Sequence, residues 1–321
     1  MSIYAEGLID EDLTMQLDYN RIDPELAPAL EAMPAFELTR ENIVASRAML
    51  AAMPFTPVSG VHSNKVSIHT DDGPLDVYVY RTSSESRQAA VLWIHGGGYI
   101  LGNGEDTMAQ SIAKHCGCTV FSVDYRLAPE HPFPAGPDDC YAALRWIMSG
   151  ETGYEVDLDR VAIGGASAGG GMSAGVALMN RDLDNFPLRM QLLLYPMIDN
   201  LHATPSGTIT NHPVWNRGTS FRAWEMYLNG EPGESASPYA AATRATDLRD
   251  LPNAYVSVGS EDLFRDEDIE YARRLSDAGV ATELAVFPGL YHGGDGFAPN
   301  AHVSKRLRES YLSALTDALR K

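Results

Sequence analysis

The sequence predicts an α/β fold, a mostly parallel sheet with helices on both faces. Short and nearly all-apolar runs recur along the chain, as strands buried on both sides require, and helix-length stretches separate them. The 321 residues suit one such sheet with insertions, long enough to bury a large core without disulfides or metals.

Taken in order, residues 2–53 read as helical and somewhat set apart. Within them, 37–53 place Ile43, Ala48, Met49 and Leu50 near one helix face, and Pro54 and Pro57 stop that helix. From Val61 the period changes to two. Strands at 66–70 and 75–80 flank the turn Asp71-Asp72-Gly73-Pro74, which predicts an antiparallel edge. Further strands are expected at 90–95, 119–124, 160–164, 190–195, 254–259 and 283–287. Helices are expected between and after them at 106–115, 138–148, 168–181, 266–278 and 301–319. Residues 197–237 break the alternation. They are rich in Pro, Asn and Gly and contain Trp215 and Trp224, the character of a lid or binding loop.

Charge narrows the partners. With 24 Lys and Arg against 43 Asp and Glu, the formal charge is −19, which repels phosphate backbones and anionic lipid, so neither nucleic acid nor membrane is expected. Residues 161–179 are uncharged but hold six glycines and two serines, too weakly apolar for a membrane span. The N-terminal MSIYAEGLIDEDL is acidic and carries no signal-peptide pattern, which points to the cytoplasm. Cys116, Cys118 and Cys140 are an odd set without a second Cys/His pair, so they read as small buried apolar side chains, with neither disulfide nor zinc.

The strongest local signal is Gly165-Ala166-Ser167-Ala168-Gly169. This G-x-S-x-G follows a strand and precedes a helix, the context of a nucleophile held on a sharp turn. The flanking glycines permit the turn, and the helix N-terminus behind the serine favours developing negative charge. Gly169-Gly170-Gly171-Met172-Ser173-Ala174 also matches a dinucleotide fingerprint, but mid-chain rather than in a first βαβ unit, and no lysine completes a phosphate loop. Upstream, His95-Gly96-Gly97-Gly98 closes the strand at 90–95. Acyl transfer needs donors for an oxyanion, and the N–H groups of Gly97, Gly98 and Ala168 are the expected ones. A nucleophilic serine also needs a base, and the base an orienting carboxylate. Among nine histidines, His292 follows the strand at 283–287 and precedes Gly293-Gly294; Asp262 follows the strand at 254–259 in the same way. Ligands of parallel sheets bind at that edge, and the order serine, acid, histidine fits.

Five segments together give a resemblance: His95-Gly-Gly-Gly, Asp124-Tyr-Arg-Leu-Ala-Pro-Glu-His-Pro-Phe-Pro-Ala, Gly165-Ala-Ser-Ala-Gly-Gly, Asp262-Leu-Phe-Arg-Asp-Glu and Tyr291-His-Gly. From about Val61 onward the chain resembles bacterial hormone-sensitive-lipase-like carboxylesterases (family IV) of the α/β-hydrolase fold. The resemblance implies hydrolysis of short- to medium-chain esters and a helical cap over the site. It divides the chain into residues 1–55, the N-terminal part of the cap; 56–196 with 238–321, the catalytic domain; and 197–237, the cap insertion. It also implies a homodimer through the last strand, 283–287. Three positions depart from the usual pattern. Ala166 stands where an acidic residue or Thr is frequent, Leu263 where Pro commonly follows the acid, and Gly-Gly-Asp-Gly-Phe where Gly-Phe commonly follows the histidine.

The expected chemistry is two-step acyl transfer. Ser167 attacks, His292 moves the proton and Asp262 holds the imidazole; neither metal nor organic cofactor takes part. Phe221, Trp224 and Leu228, spaced i, i+3, i+7 with Tyr227 beside them, are candidates to line the substrate pocket, although such a stripe more often forms the cap's own core. A lactone or amide as substrate, and a non-enzymatic receptor on the same fold, remain open alternatives at this stage.

Overall fold

The computed structural model describes residues 14–33, 37–82, 87–230 and 232–320. The expectations for residues 1–13 and 34–36 of the N-terminal segment lie outside these, as do 83–86, 231 and 321.

Eight strands among the described residues form one sheet, in the order β1-β2-β4-β3-β5-β6-β7-β8. β1 (His62–Thr70) and β2 (Gly73–Arg81) make the expected antiparallel hairpin, and β2 runs antiparallel to β4 (Thr119–Val123). The rest is parallel: β4 pairs β3 (Gln88–Ile94), then β5 (Val156–Ala166), β6 (Leu188–Leu194), β7 (Ala254–Gly259) and β8 (Thr282–Phe287) follow. Every residue of β4 and β7 is buried, which is why these runs carry no polar alternation.

Helices cover both faces. On one face, α3 (Thr107–Cys116) and α8 (His302–Ala318) pack together, with the Tyr255 hydroxyl of β7 reaching Ser310 of α8 at 2.8 Å. On the other lie α4 (Ala135–Met148), α5 (Ala168–Leu183) and α7 (Arg265–Asp277). There Ala174 and Leu178 of α5 share a core with Leu193, Val256, Tyr271 and Leu275. Neighbouring residues on β6 and β7 thus point to opposite faces, as strand pleating demands.

The described part of the N-terminal segment is less helical than expected. Among its described residues, only α1 (Ala27–Glu31), α2 (Ile43–Ala51) and a 3-10 turn at Tyr19–Arg21 form. The helix expected over 37–53 starts at Ile43 because the Asn42 side chain folds back on the residues before it. Its Oδ1 accepts from the Thr39 N–H at 2.9 Å and its Nδ2 donates to the Glu37 carbonyl at 2.7 Å, and these hold a turn in place of a helical start. Between β6 and β7 the chain forms a 3-10 turn at Ser206–Thr208 and α6 (Arg217–Leu228), capped by the Asn216 side chain on the Thr219 N–H. The N-terminal segment is tied to this insertion. The N–H groups of Met15 and Leu17 donate to Thr208 Oγ1 and Asn211 Oδ1 at 3.0 and 2.7 Å, and Arg222 donates to the Leu38 carbonyl at 2.7 Å. No helix among the described residues is long and apolar enough to cross a membrane.

Candidate active site

β5 delivers Ser167 at its C-terminal end and α5 begins at the next residue. Ser167 holds φ +56° and ψ −122°, a conformation that costs a non-glycine residue about 1–3 kcal/mol and that the surroundings must impose. They do so from three sides. The Ser167 N–H donates to the Leu194 carbonyl at 2.9 Å, and its carbonyl accepts from Met197 at 2.9 Å and Gly171 at 3.0 Å. The flanking glycines are a packing requirement. A β-carbon on Gly165 would lie 2.4 Å from the Gly169 carbonyl carbon, and one on Gly169 only 1.9 Å from the Ile94 carbonyl oxygen. The glycines suggestive of a dinucleotide loop serve the same end. A β-carbon on Gly171 would lie 1.9 Å from the Met197 carbonyl oxygen, and α5 is buried from Ala168 to Asn180, which leaves no open face for a pyrophosphate.

The other two expected residues arrive at the same point. Ser167 Oγ lies 2.9 Å from His292 Nε2, and His292 Nδ1 lies 2.9 Å from Asp262 Oδ2. Asp262 is fully buried and its second oxygen accepts the Phe264 N–H at 3.0 Å. The loops carrying Asp262 and His292 are stitched together, with the Ser260 and Glu261 N–H groups donating to the Phe287 and Leu290 carbonyls at 2.9 and 3.0 Å. The N-terminal segment braces the same corner. Asp23 donates its N–H to the Gly289 carbonyl at 3.0 Å, and Arg21 pairs with Glu261 at 3.0 Å. Phe264 and Tyr195 meet the His292 ring edge-on, with centroids at 4.9 and 5.3 Å, so the imidazole is held by packing as well as by hydrogen bonds.

The glycine loop after β3 lies beside Ser167, where a β-carbon on Gly96 would come 3.4 Å from Ser167 Cβ. Gly97 and Gly98 both take positive φ, +116° and +62°, and no hydrogen bond among the described residues occupies their N–H groups. His95 shapes this loop from beneath. Its ring stacks on Tyr125 at 4.2 Å, and its Nδ1 sits 2.7 Å from the Gly96 carbonyl, an acceptor, so Nδ1 carries the proton. Burial pushes the imidazole below its ordinary range and keeps it neutral. Ala168 opens the sixteen-residue α5, so its N–H is one of the unpaired donors at a helix N-terminus.

Of the candidate pocket residues, α6 brings Tyr227 and Trp224 onto Tyr99, immediately after Gly98. The Tyr227 ring stacks on Tyr99 at 4.0 Å and Trp224 is tilted against it at 5.1 Å. Phe221 meets the His202 ring at 5.8 Å, and Leu228 is half-buried at the end of α6. Sequence reasoning missed two residues of the insertion. A β-carbon on Gly98 would lie 2.3 Å from the tip of the Trp215 indole, whose ring also stands 6.4 Å from that of His292. His212 Nδ1 accepts the N–H groups of Val214 and Trp215 at 3.1 and 3.3 Å. Burial pushes His212 down to about 4, with the nearby Asp262 charge opposing it. The only advance signal for Trp215 was a large aromatic in a Pro- and Asn-rich insertion; His212 gave none.

A second serine–histidine–carboxyl array joins the insertion to α7. Ser220 Oγ is 2.7 Å from His202 Nε2, and His202 Nδ1 is 3.3 Å from Glu267 Oε2. All three are sealed, and burial pushes His202 down to about 3 and Glu267 well up, so both stay uncharged. Ser220 lies inside α6 with no strained backbone and no glycine loop before it. Ser167 is half-buried and has both.

Residues 91–295 match the family model described as the alpha/beta hydrolase fold. The chain belongs to the α/β-hydrolase family. Within it, the five motifs place the chain in the hormone-sensitive-lipase-like branch. This α/β-hydrolase is 34% identical to the carboxylesterase NlhH of Mycobacterium tuberculosis, over 93% of this chain and 96% of that one. It is also 34% identical to the esterase LipI of the same organism, over 86% and 89%. Among solved structures it is similar to a bacterial heroin esterase, with a TM-score of 0.86 and 37% identity over 94% of this chain and 99% of that one. The esterase LipW of Mycobacterium marinum matches at TM-score 0.86 and 32% identity, covering 97% and 100%.

Proposed function

We propose that this α/β-hydrolase is a serine carboxylesterase that cleaves short- to medium-chain esters through Ser167, His292 and Asp262 and a covalent acyl-enzyme. The observation that carries the reading is the unbroken chain Ser167–His292–Asp262, 2.9 Å at each link, on a strained turn beside Gly97 and Gly98. The esterase names of the similar proteins support the substrate class.

In the first step, His292 Nε2 takes the Ser167 proton as Oγ attacks the ester carbonyl, and Asp262 steadies the imidazolium that forms. The N–H groups of Gly97, Gly98 and Ala168 receive the negative oxygen; such donors are worth about 3–4 kcal/mol each when preorganised. His292 then protonates the leaving alkoxide, water replaces it, and the same residues release the acid. Residues 197–237, with the N-terminal segment bound to them, form the cap in this reading. Trp224 and Tyr227 back the pocket wall through Tyr99. Three free thiols accord with a reducing, cytoplasmic setting. Among the described residues the last strand, β8, pairs with β7 alone; it exposes Leu284 and Val286, 40% each, and through it we propose a second copy of the chain.

Turnover of p-nitrophenyl esters from acetate to palmitate, with Ser167→Ala in parallel, tests the function. Rapid hydrolysis of short chains that vanishes in the variant supports it. Activity that survives Ser167→Ala removes the mechanism, and an inactive wild-type protein turns the search to lactones, amides and the receptor reading.

A further inference from the structure

Trp215 occupies a position that the reaction itself makes significant. The tip of its indole packs on the Cα of Gly98, so closely that a β-carbon there would approach Cη2 to 2.3 Å, and its ring centroid stands 6.4 Å from that of His292. One side chain therefore spans the glycine loop and the histidine. It is held there firmly. The main-chain N–H of Trp215 donates to His212 Nδ1 at 3.3 Å, Asn216 Nδ2 donates to the His212 carbonyl at 3.0 Å, and Asn216 caps α6. The indole N–H itself meets no acceptor among the described residues, so replacing the ring breaks no hydrogen bond of the fold.

We propose that Trp215 limits the bulk of the alcohol portion of the ester, an inference that rests on the roles given above to Ser167 and His292. In the tetrahedral adduct the carbonyl carbon is bonded to Ser167 Oγ and its oxygen lies toward Gly97 and Gly98. The alkoxy oxygen must face His292 Nε2 to be protonated as it leaves. The edge between the oxyanion and the alkoxy group is therefore the side that joins Gly98 to His292, and Trp215 spans that side. The acyl substituent leaves the carbon in the remaining direction, away from the indole. A flat aromatic wall there accepts small or planar alcohols and collides with branched ones.

The experiment varies alcohol and acyl parts independently. Wild type, Trp215→Ala and Trp215→Phe are assayed on ethyl, tert-butyl and 1-naphthyl acetate, and separately on p-nitrophenyl acetate and hexanoate. The expected result is that Trp215→Ala raises kcat/KM for tert-butyl acetate relative to ethyl acetate by about tenfold or more, the scale set by relieving a few atoms of crowding. Trp215→Phe falls between, and the hexanoate-to-acetate ratio stays within about twofold of wild type. An unmoved alcohol ratio, or an acyl ratio that moves as much, overturns the inference. If Trp215→Ala does not fold, as judged by its urea transition, the alcohol ratio of Trp215→Phe decides. Ser167→Ala is run on every ester. Its inactivity with an unmoved Trp215 ratio removes this inference alone, whereas its activity removes the reading on which the inference rests.

Discussion

The Asp262 carboxylate divides its oxygens between two donors: Oδ2 takes the His292 Nδ1–H at 2.9 Å and Oδ1 the Phe264 main-chain N–H at 3.0 Å. One oxygen fixes the acid in its loop and the other fixes the imidazole tautomer. In Asp262→Asn the side-chain oxygen can serve Phe264, which leaves the amide NH₂ facing His292 and favours the wrong tautomer. We expect kcat to fall by roughly 10³–10⁴-fold with little change in the urea midpoint. Steady-state kinetics beside urea unfolding check this; a loss below about tenfold would mean that another group orients His292.

Two serines stand within hydrogen-bond reach of a histidine backed by a carboxyl, and only one should matter to the reaction. Ser220→Ala removes the hydroxyl 2.7 Å from His202 Nε2 and leaves that buried nitrogen without its partner. The expected cost is about 1–3 kcal/mol of stability, with kcat/KM on p-nitrophenyl acetate within about threefold of wild type. A large loss of kcat in a stably folded Ser220→Ala would contradict the assignment to Ser167.

His212 gives the protein a pH-dependent stability with a definite sign. Its folded value is about 4 against an ordinary 6.5, so between these limits the unfolded chain binds a proton that the folded chain refuses. Stability from this group is whole above pH 6.5 and is lost as the pH falls toward 4, a swing of roughly 3 kcal/mol. His212→Asn keeps an acceptor for the Val214 and Trp215 N–H groups but cannot take up the proton. The stability advantage of wild type over this variant should therefore shrink between pH 7 and pH 5. Urea unfolding of both proteins across that range measures it, and a constant difference would refute the account.

The β8 edge makes a separate prediction. Sedimentation velocity should show a dimer, and Val286→Pro, which removes a main-chain donor from the unpaired edge, should give a monomer that still turns over short esters. A monomeric wild-type protein would remove the pairing.

The parts of this molecule that were legible beforehand are those whose physics is local. β7 runs from Ala254 to Gly259 as the apolar run predicts, because Pro252 lies just before it and a tight glycine closes it. Ser167, Asp262 and His292 could be named because each lies at or just beyond the C-terminal end of a strand, so sheet order brings together residues 125 and 30 positions apart. β5 starts at Val156, earlier than expected, because Asp157 and Asp159 interrupt its apolar run while the backbone still pairs with Gln88. α4 begins at Ala135 although Pro137 follows, since a proline in the first helical turn loses no hydrogen bond. Trp215 and His212 lie in an insertion with neither helical nor strand period. Their place over Gly98 and His292 is set by long-range packing, which no window of sequence reports.

The central claim is that Ser167 becomes covalently acylated, and an active-site label tests it most directly. Wild type and Ser167→Ala would each be treated with diethyl p-nitrophenyl phosphate and examined as intact protein and as peptides by mass spectrometry. The account predicts one diethylphosphoryl group on wild type, located on Ser167, lost activity in step with labelling, and no adduct on the variant. Labelling at another residue with loss of activity, or full activity in Ser167→Ala, would contradict it.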